Sequence, residues 1–322
     1  MQLVAIILVG LVAASGAAAA KDTGNIFISN EKSSTITVLG PDDEIIETIE
    51  TCARPRGVHF SHDRTQFYVG CADDSVIAVY DTETRELVQR IRGVEEPETF
   101  DLHPNGKHLY ISNEEDAAAT LYDVESGEFL AEFETGEEPE GVQVTSDGKF
   151  VFVASEAANL VHVIDTEAGE VIEDILVDTR PRRFALNKDE TELWVSAELA
   201  GIVNIIDLDT YELIDDIPLL PTGFRKEQVT PVDLLITKDG SRAYVALGRA
   251  NHVAVVDVES RNVEKYILVG SRPWGLALTR DEKKLYVANG LSDDISIIDT
   301  DSLKVQRSLP VGLVPYGILI DD

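Results

Sequence analysis

The sequence predicts an all-β fold, a seven-bladed β-propeller with four antiparallel strands in each blade. The first observation is a repeat, because a short apolar run that ends near a small or polar residue occurs seven times. The runs begin 41, 42, 42, 42, 50 and 42 residues apart, at Ile26, Phe67, Leu109, Val151, Leu193, Ala243 and Leu285. The second observation is that only strand and turn signals lie between the runs. A period of about 40 residues built from strands alone is typical of small sheets repeated around an axis.

One repeat shows each element of a blade in order. A strand that alternates apolar and polar residues is followed by a loop, a short strand, a glycine turn, a more apolar strand, a further strand and an aspartate turn. These parts are Phe129–Phe133, Gly136–Gly141, Val142–Val144, Ser146–Lys149, Val151–Ala154, Leu160–Ile164 and Asp165–Glu170. The aspartate of the second turn recurs at Asp81, Asp123, Asp165, Asp207, Asp257 and Asp299. We interpret these aspartates as turn formers, because an aspartate can accept hydrogen bonds from the backbone that follows it.

The two ends of the repeat array predict how the ring closes. The first run, Ile26–Asn30, matches the second strand of a blade, and the last segment, Val314–Ile320, matches a first strand. We expect the last strand to complete the first blade, because this arrangement leaves no unpaired sheet edge.

The first twenty residues predict export. Met1–Ala20 carries no charged side chain, is rich in Leu, Val, Ile and Ala, and ends in four alanines. This pattern is typical of a secretory signal peptide that is cleaved near Ala20. The alternative is an uncleaved membrane anchor, since twenty apolar residues can just span a bilayer. With cleavage, residues 21–322 form one propeller domain without a membrane span, and we expect a periplasmic or secreted protein.

The net charge of −32, from 59 acidic and 27 basic residues, disfavours nucleic-acid binding, which needs a basic surface. Two interpretations of the acidity stay open. It either provides a solvated surface, suited to a saline environment, or it forms a face that docks a basic partner such as a cationic cytochrome.

A proline-containing loop precedes the first strand of every blade, and these loops are predicted to form the rim of the central channel. They are Arg54–Gly57, Glu96–Thr99, Glu138–Gly141, Arg180–Arg183, Thr230–Asp233, Arg272–Gly275 and Val314–Gly317. Proline fixes its own φ and restricts the preceding residue, so the rim should be rigid, and rigid loops often carry binding residues. The candidate binding residues are Arg54, Arg56, Glu98, Glu140, Arg180, Arg182, Arg272, Trp274 and Tyr316.

Two interpretations of this rim stay open. In the first, the charges only balance each other across blade boundaries, with Arg54, Arg56, Arg180 and Arg182 paired to Glu96, Glu98, Glu138 and Glu140. In the second, the rim is a pocket for a partner or for a small anionic or quinone ligand, in which arginines bind carboxylates and Trp274 and Tyr316 offer stacking faces. The sequence shows no catalytic motif, and we predict no metal site.

The only cysteines, Cys52 and Cys71, are predicted to lie on the same face of the propeller. Export favours a disulfide between them, and free or metal-linked thiols are the alternative. The 50-residue repeat contains an insertion of about eight residues near Pro218–Thr230, with Phe224–Glu227 as its tip. This longer loop is either a tolerated insertion or an element that caps the channel or touches a partner.

The repeats resemble a known family. The segment LYVANGLSDDISIIDTDSLKVQRSLPVGLVPYGILI, Leu285–Ile320, is similar to the YVTN-type β-propeller repeat, and the resemblance covers essentially the whole mature chain. With ISNEKSSTITV at Ile28–Val38 and RPRGVHFSHD at Arg54–Asp63, the chain resembles more specifically the propellers associated with PQQ-dependent catabolism. That resemblance implies an association with exported quinoprotein dehydrogenase systems for alcohols or amines. A link to PQQ rests on this resemblance alone, and no cofactor is evident from the residues.

Together these observations predict an exported, non-enzymatic and monomeric propeller. Its expected partner is a protein, such as a quinoprotein dehydrogenase or a cytochrome, or a small anionic ligand. The alternative is an enzyme such as a metal-dependent lactonase, because lactonases also use seven-bladed propellers, and fold alone does not fix function.

Overall fold

Short β-strands account for nearly all the regular structure of residues 22–322, the part of the chain that the computed structural model describes. The predicted signal segment, residues 1–20, lies outside the described residues. Between residues 22 and 322 there are twenty-eight strands, joined by tight turns and three short 3₁₀ helices. None of the helices in this range is long and apolar enough to cross a membrane.

The strands form seven sheets of four, which we number as blades 1 to 7. Blade 1 contains β1 (Asn25–Asn30), β2 (Thr35–Leu39), β3 (Ile45–Glu50) and β28 (Pro315–Asp321). Blades 2 and 3 contain β4 (Pro55–Phe60), β5 (Gln66–Cys71), β6 (Val76–Asp81), β7 (Leu87–Arg92), β8 (Pro97–Leu102), β9 (His108–Asn113), β10 (Ala118–Asp123) and β11 (Phe129–Glu134). Blades 4 and 5 contain β12 (Pro139–Val144), β13 (Phe150–Ser155), β14 (Leu160–Asp165), β15 (Glu170–Leu176), β16 (Pro181–Leu186), β17 (Glu192–Ala197), β18 (Ile202–Asp207) and β19 (Glu212–Pro218). Blades 6 and 7 contain β20 (Pro231–Ile236), β21 (Arg242–Leu247), β22 (His252–Asp257), β23 (Asn262–Leu268), β24 (Pro273–Leu278), β25 (Lys284–Asn289), β26 (Asp294–Asp299) and β27 (Lys304–Pro310). The 3₁₀ helices are Ala72–Asp74, Lys226–Gln228 and Gly248–Ala250.

Every blade is an antiparallel sheet, and in blades 2 to 7 the strands lie side by side in chain order. Blade 1 differs because its first strand is β28, from the end of the chain. β28 pairs with β1 in a register that places Ile26 opposite Ile320 and Ile28 opposite Ile318. The first and last strands therefore close the ring, and the predicted seven-bladed propeller and its mode of closure are both confirmed.

The core lies between the blades as well as within them. All five residues of β2 are buried, whereas β3, at the outer edge of the same blade, is mostly exposed. Phe27 of blade 1 packs on Phe67 of blade 2 with 4.6 Å between ring centroids, and Trp194 of blade 5 is fully buried in a cluster that includes Val245 of blade 6. A blade thus covers its apolar faces only with its neighbours, as repeat architectures generally do.

The aspartate turns form as predicted. The Asp123 carboxylate accepts hydrogen bonds from the backbone N–H groups of Glu125 and Ser126 at 3.1 and 2.8 Å. These bonds, together with the Ser126 hydroxyl, hold the pKa of Asp123 below its ordinary value. The same contacts recur at Asp165 and Asp207, so these residues belong to the scaffold.

Two glycines show how closely the first strands approach each other around the axis. A Cβ atom at Gly141 would clash with the backbone oxygen of Arg182 in the next blade, and one at Gly275 would clash with that of Tyr316. No other residue fits at these positions without moving a neighbouring strand. The channel at the axis is consequently narrow, and the side chains next to these glycines are brought together.

Cys52 and Cys71 form a disulfide, with 5.7 Å between their Cα atoms. It joins the loop that enters blade 2 to the end of β5, on one face of the propeller.

The insertion at 218–230 folds against blades 5 and 6, where Leu219 and Val229 are buried and Phe224 meets the His252 ring edge-on at 5.6 Å. Phe224 of the predicted tip therefore packs on the propeller, whereas the other three residues of the tip, up to Glu227, are exposed.

We expect truncation after Gly312 to be severely destabilising, because it removes β28 and leaves β1 as an open edge. The burial of Ile318 and Ile320 alone contributes about 3–6 kcal/mol, a large part of the roughly 5–15 kcal/mol that stabilises a typical domain. Thermal unfolding followed by circular dichroism measures the effect. Removal of Asp322 alone is the control, and a truncated protein that melts like the control would contradict ring closure by β28.

Candidate binding site at the channel mouth

The loops that lead into the first strands and those that join second to third strands lie on one side of the ring, which we call the mouth face. The residue before the proline has a left-handed backbone, with φ between 38° and 66°, in six of the seven entry loops. These residues are Arg54, Glu96, Glu138, Arg180, Arg272 and Val314. This conformation is uncommon outside glycine, and for a β-branched residue such as Val314 it is a clear exception. The entry loops thus share one fixed shape, which turns the chain sharply into the first strand.

A cavity of about 420 Å³ opens on the mouth face at the axis, and we call it the mouth pocket. Its lining contains six arginines, four glutamates, Leu199 and Trp274. The charged residues are Arg54, Arg56, Arg180, Arg182, Arg249, Arg272, Glu114, Glu140, Glu156 and Glu198. Seven of the nine predicted rim residues line this pocket. The other two, Glu98 and Tyr316, are buried and contact pocket residues directly. The structure thus brings all nine candidates together.

The ion pairs expected across blade boundaries are present. Arg54 binds Glu96, and also Glu98 at 3.1 Å. Arg56 binds Glu98 as well. On the opposite side of the pocket, Arg182 lies 3.0 Å from Glu140, and the looser Arg180–Glu138 pair spans 3.7 Å.

A second ring of glutamates was missed in the sequence analysis. These residues directly follow the second strand of a blade, and they are Glu31, Glu114, Glu156 and Glu198. The equivalent positions in the other blades hold Ala72, Gly248 and Gly290. A glutamate recurring at one register position was the signal that could have revealed them. This position lies outside the proline loops, from which the candidate residues were taken.

Arg182 is the centre of the charge network. It is 3% exposed, and its guanidinium lies 3.0 Å from Glu140, 2.6 Å from Glu156 and 3.1 Å from Glu198. Its guanidinium carbon also lies 5.2 Å from the centre of the Trp274 ring. One cation thus links carboxylates from three loops, which fixes their positions relative to each other.

Glu140 and Glu156 share Arg182 but differ in their pKa values. Arg182, Arg183 and Arg56 hold the pKa of Glu140 well below its ordinary value, although burial opposes this. Burial, followed by the negative charge of Glu140, raises the pKa of Glu156 to about 8 in spite of Arg182. Two neighbouring carboxyl groups of the mouth pocket therefore differ in how readily they take up a proton, and Glu156 does so more readily than Glu140.

Tyr316 is buried behind the residues that line the mouth pocket. Its hydroxyl donates to Glu140 at 2.9 Å and accepts from Arg183 at 2.6 Å, and Arg56 lies over its ring at 4.5 Å. Trp274 lies beside it, with 5.7 Å between ring centroids. Both aromatic residues also border a smaller cavity of about 160 Å³ deeper in the channel.

That deeper cavity contains two further charged groups, Arg183 and Asp233. Burial raises the pKa of Asp233 to about 6, although Arg183 and the backbone N–H groups of Leu276 and Leu234 oppose the shift. Asp233 accepts from the backbone of Leu276 at 2.8 Å and so ties blade 6 to blade 7. We assign this residue to the scaffold.

Positive charge is left uncompensated on one side of the mouth pocket. Within the described part of the chain, Arg272 has a single carboxylate partner, Glu198 at 3.1 Å. Burial and the neighbouring charges of Arg182 and Arg249 lower the pKa of Arg272. Among residues 22–322, Arg249 has no carboxylate within 4.0 Å of its guanidinium, and it is exposed to solvent. This side of the pocket can therefore accept an anion.

Three carboxylates on the opposite side, those of Glu96, Glu98 and Glu114, place oxygens within 4.8 Å of each other. A cation could bind three such groups, but Arg54 already binds the first two. Burial, followed by repulsion from Glu140 and Glu96, raises the pKa of Glu114. These three carboxylates therefore form a cluster of negative charge that neighbouring arginines neutralise.

We expect Arg182→Ala to destabilise the folded protein by about 3–5 kcal/mol, because it leaves three buried carboxylates without their shared cation. Arg307→Ala is the matched control, since Arg307 forms an exposed pair with Glu44 that contributes about 1 kcal/mol or less. Urea denaturation of both variants provides the measurement. Equal losses of stability in the two variants would contradict the central role of Arg182.

A pH dependence follows from Glu156. The pKa of Glu156 rises from 4.5 to about 8 on folding, so between these pH values the folded state binds more protons than the unfolded state. The free energy of unfolding therefore decreases as the pH rises through this range. Glu156→Gln cannot titrate, and we expect its stability to decline less than that of the parent between pH 5 and 8 in urea denaturation. Parallel declines would show that Glu156 is ionised in the folded protein throughout.

Solved structures with the same fold have different activities. Hydrazine synthase from Kuenenia stuttgartiensis is 19% identical, with a TM-score of 0.74 over 82% of this chain and 88% of that chain. A candidate 6-phosphogluconolactonase from Bacteroides fragilis is 17% identical, with a TM-score of 0.78 over 94% of this chain and 99% of the other. The dihydro-heme d1 dehydrogenase NirN, solved in complex with DHE, is 13% identical, with a TM-score of 0.71 over 94% of this chain and 76% of NirN. At these identities the similarity shows the fold alone.

No curated protein matches the sequence. The model of the YNCE-like β-propeller family, however, matches residues 19–278, which is most of the chain. The expected resemblance to a repeat-built propeller family is thus confirmed at this level, whereas the narrower resemblance to PQQ-associated propellers is not. The chain belongs to the YNCE-like β-propeller family.

Proposed function

We propose that this protein is a binding propeller whose mouth pocket takes a small anion with two or more carboxylate groups. The observation that carries the proposal is the uncompensated positive charge of Arg249 beside Arg272. In a protein of net charge −32, two neighbouring arginines with one carboxylate between them are an unusual local excess of positive charge. Burial, together with repulsion from Arg182 and Arg249, lowers the pKa of Arg272, and a bound anion would offset that repulsion.

The geometry favours a carboxylate ligand. A guanidinium presents two parallel N–H groups that match the two oxygens of a carboxylate. The Arg272 guanidinium lies over the Trp274 ring at 4.5 Å, which restricts its orientation, while one of its terminal nitrogens holds Glu198. The exposed Arg249 lies at the entrance, where it would meet the ligand first. The 420 Å³ of the mouth pocket accommodates a molecule of the size of a di- or tricarboxylate.

The arginines that are already paired with glutamates have a structural role in this proposal. Arg54, Arg56 and Arg182 are already bound to glutamates, so they hold the wall of the pocket in place. Their partners also repel an anion from that wall. The ligand is thereby directed to the side that Arg249 and Arg272 form.

A metal-dependent lactonase is the second candidate. The carboxylates of Glu96, Glu98 and Glu114 are the observation that favours it, because they come close enough to share a cation. A lactonase would hydrolyse lactones only with an added divalent metal, and Glu114→Gln would abolish that activity. Hydrolysis that depends on metal and on Glu114 would replace the binding proposal.

We also propose that the protein is exported and is associated with quinoprotein dehydrogenases. The signal-like first twenty residues support export, and the sequence resemblance supports the association. Sequencing the amino terminus of the protein from its own cells tests cleavage near Ala20. Deletion of the gene followed by growth on alcohols or amines tests the quinoprotein association. Unimpaired PQQ-dependent oxidation in the deletion strain would contradict it.

We expect citrate to bind the wild-type protein and to bind Arg249→Ala and Arg272→Ala at least about tenfold more weakly, since a hydrogen bond to a charged group contributes roughly 1.5–3 kcal/mol. Isothermal titration calorimetry measures the affinities. Arg90→Ala is the control, because Arg90 is an exposed arginine on the outer strand of blade 2 and its loss changes the net charge equally. Equal weakening in the control, or no citrate binding by the wild type, would refute the proposal.

A further inference from the structure

The mouth face has an apolar half. Six leucines in its loops and at the ends of its outer strands, on the blade 4 to blade 7 side of the ring, are between 49% and 71% exposed. They are Leu176, Leu199, Leu220, Leu268, Leu291 and Leu313, and we call them the leucine crescent. Single exposed leucines are ordinary on a protein surface, but six in neighbouring loops of one face are typical of an interaction site.

The other half of the mouth face is acidic. Exposed carboxylates occupy the loops of blades 2 and 3, where the leucine crescent is absent. They are Asp73, Asp74, Glu95, Glu115, Asp116 and Glu137, and we call them the acidic crescent. The mouth pocket lies between the two crescents, because it is at the axis.

The fold does not require this division. The second residue after the second strand is Leu199 in blade 5 and Leu291 in blade 7, with Ala157 in blade 4 and Arg249 in blade 6, but it is Asp73 in blade 2 and Glu115 in blade 3. The last residue of the outer strand is Leu176 in blade 4 and Leu268 in blade 6, whereas it is Arg92 in blade 2 and Glu134 in blade 3. At these two scaffold positions, exposed leucines therefore occur only in blades 4 to 7, whereas blades 2 and 3 carry charged residues at both.

We propose that the mouth face docks a protein whose contact surface has lysines or arginines on one side and apolar side chains on the other. The acidic crescent would steer and orient this partner through complementary charge. The leucine crescent would then provide the apolar burial that holds it. The partner would also cover the entrance of the mouth pocket.

A second copy of this chain fits the surface poorly. Its own mouth face offers an acidic crescent in place of a basic one, and each copy carries a net charge of −32. Two such faces would repel each other wherever their acidic crescents approach. The complementary partner is therefore a basic protein.

A fluorescent helical peptide with leucines on one side and lysines on the adjacent side is a suitable probe. We expect it to bind the wild-type protein with one-to-one stoichiometry in fluorescence anisotropy, more weakly at higher salt. The double substitutions Leu199→Ser with Leu291→Ser, and Glu115→Lys with Asp116→Lys, should each weaken binding at least tenfold. The leucine variant should also lose the part of the affinity that persists at high salt.

The control is Glu167→Lys with Glu259→Lys. These exposed glutamates lie in turns on the face opposite the mouth, and their substitution changes the net charge by the same amount as the acidic-crescent variant. Unchanged binding by the control supports the proposal. Equal weakening by the control, unchanged binding by the leucine variant, or no binding by the wild type at low salt overturns it.

Sedimentation velocity adds a separate test, because a dimer that the leucine substitutions dissociate would show that a second copy occupies the face.

Discussion

A four-stranded blade has two apolar faces, and it can cover them only with the blades on either side. The buried second and third strands and the ring contact between Phe27 and Phe67 show that the core is shared between blades. Because every blade needs two neighbours, the chain is stable only as a closed ring. The pairing of β28 with β1 provides that closure, and the curvature of a seven-bladed ring draws the seven first strands to one axis.

The crowding of these strands explains the chemistry at the channel mouth. Gly141 and Gly275 are required where neighbouring backbones nearly touch, so the adjacent large side chains share a narrow space. Several of those side chains are charged, and a buried charge must be paired. Arg182 and Glu140 satisfy each other, but replacing such pairs by apolar residues is often neutral or stabilising. Stability alone therefore does not account for the network, whereas the positioning of Arg272 through Glu198 does.

The sequence predicts the fold well because the repeat is a property of local signals. Strand alternation and turn residues at a constant spacing identify four strands per blade, and the unmatched ends identify the closure. The rim residues follow from the same register, since each blade brings its proline loop to the axis. Contacts between blades are different, because they join residues far apart in the chain. Arg182 holds Glu156 and Glu198, while Arg249 lacks a carboxylate partner among the residues that the structure describes. Both facts depend on how loops from separate blades meet, which no spacing in the sequence reveals.

The two faces of the propeller differ in what constrains their loops. On the face opposite the mouth, turn aspartates such as Asp123 satisfy the backbone within their own turn, so these loops serve the scaffold. On the mouth face, equivalent positions vary from Glu115 to Leu199 without a change in backbone role. The scaffold does not require the mouth-face residues to differ between blades, yet they do differ around Arg249 and Arg272. Binding of a ligand and a partner protein is the best explanation of this variation. A partner seated on both crescents would close the mouth pocket, so an anion held by Arg249 would lie at the interface and would be released only when the partner leaves.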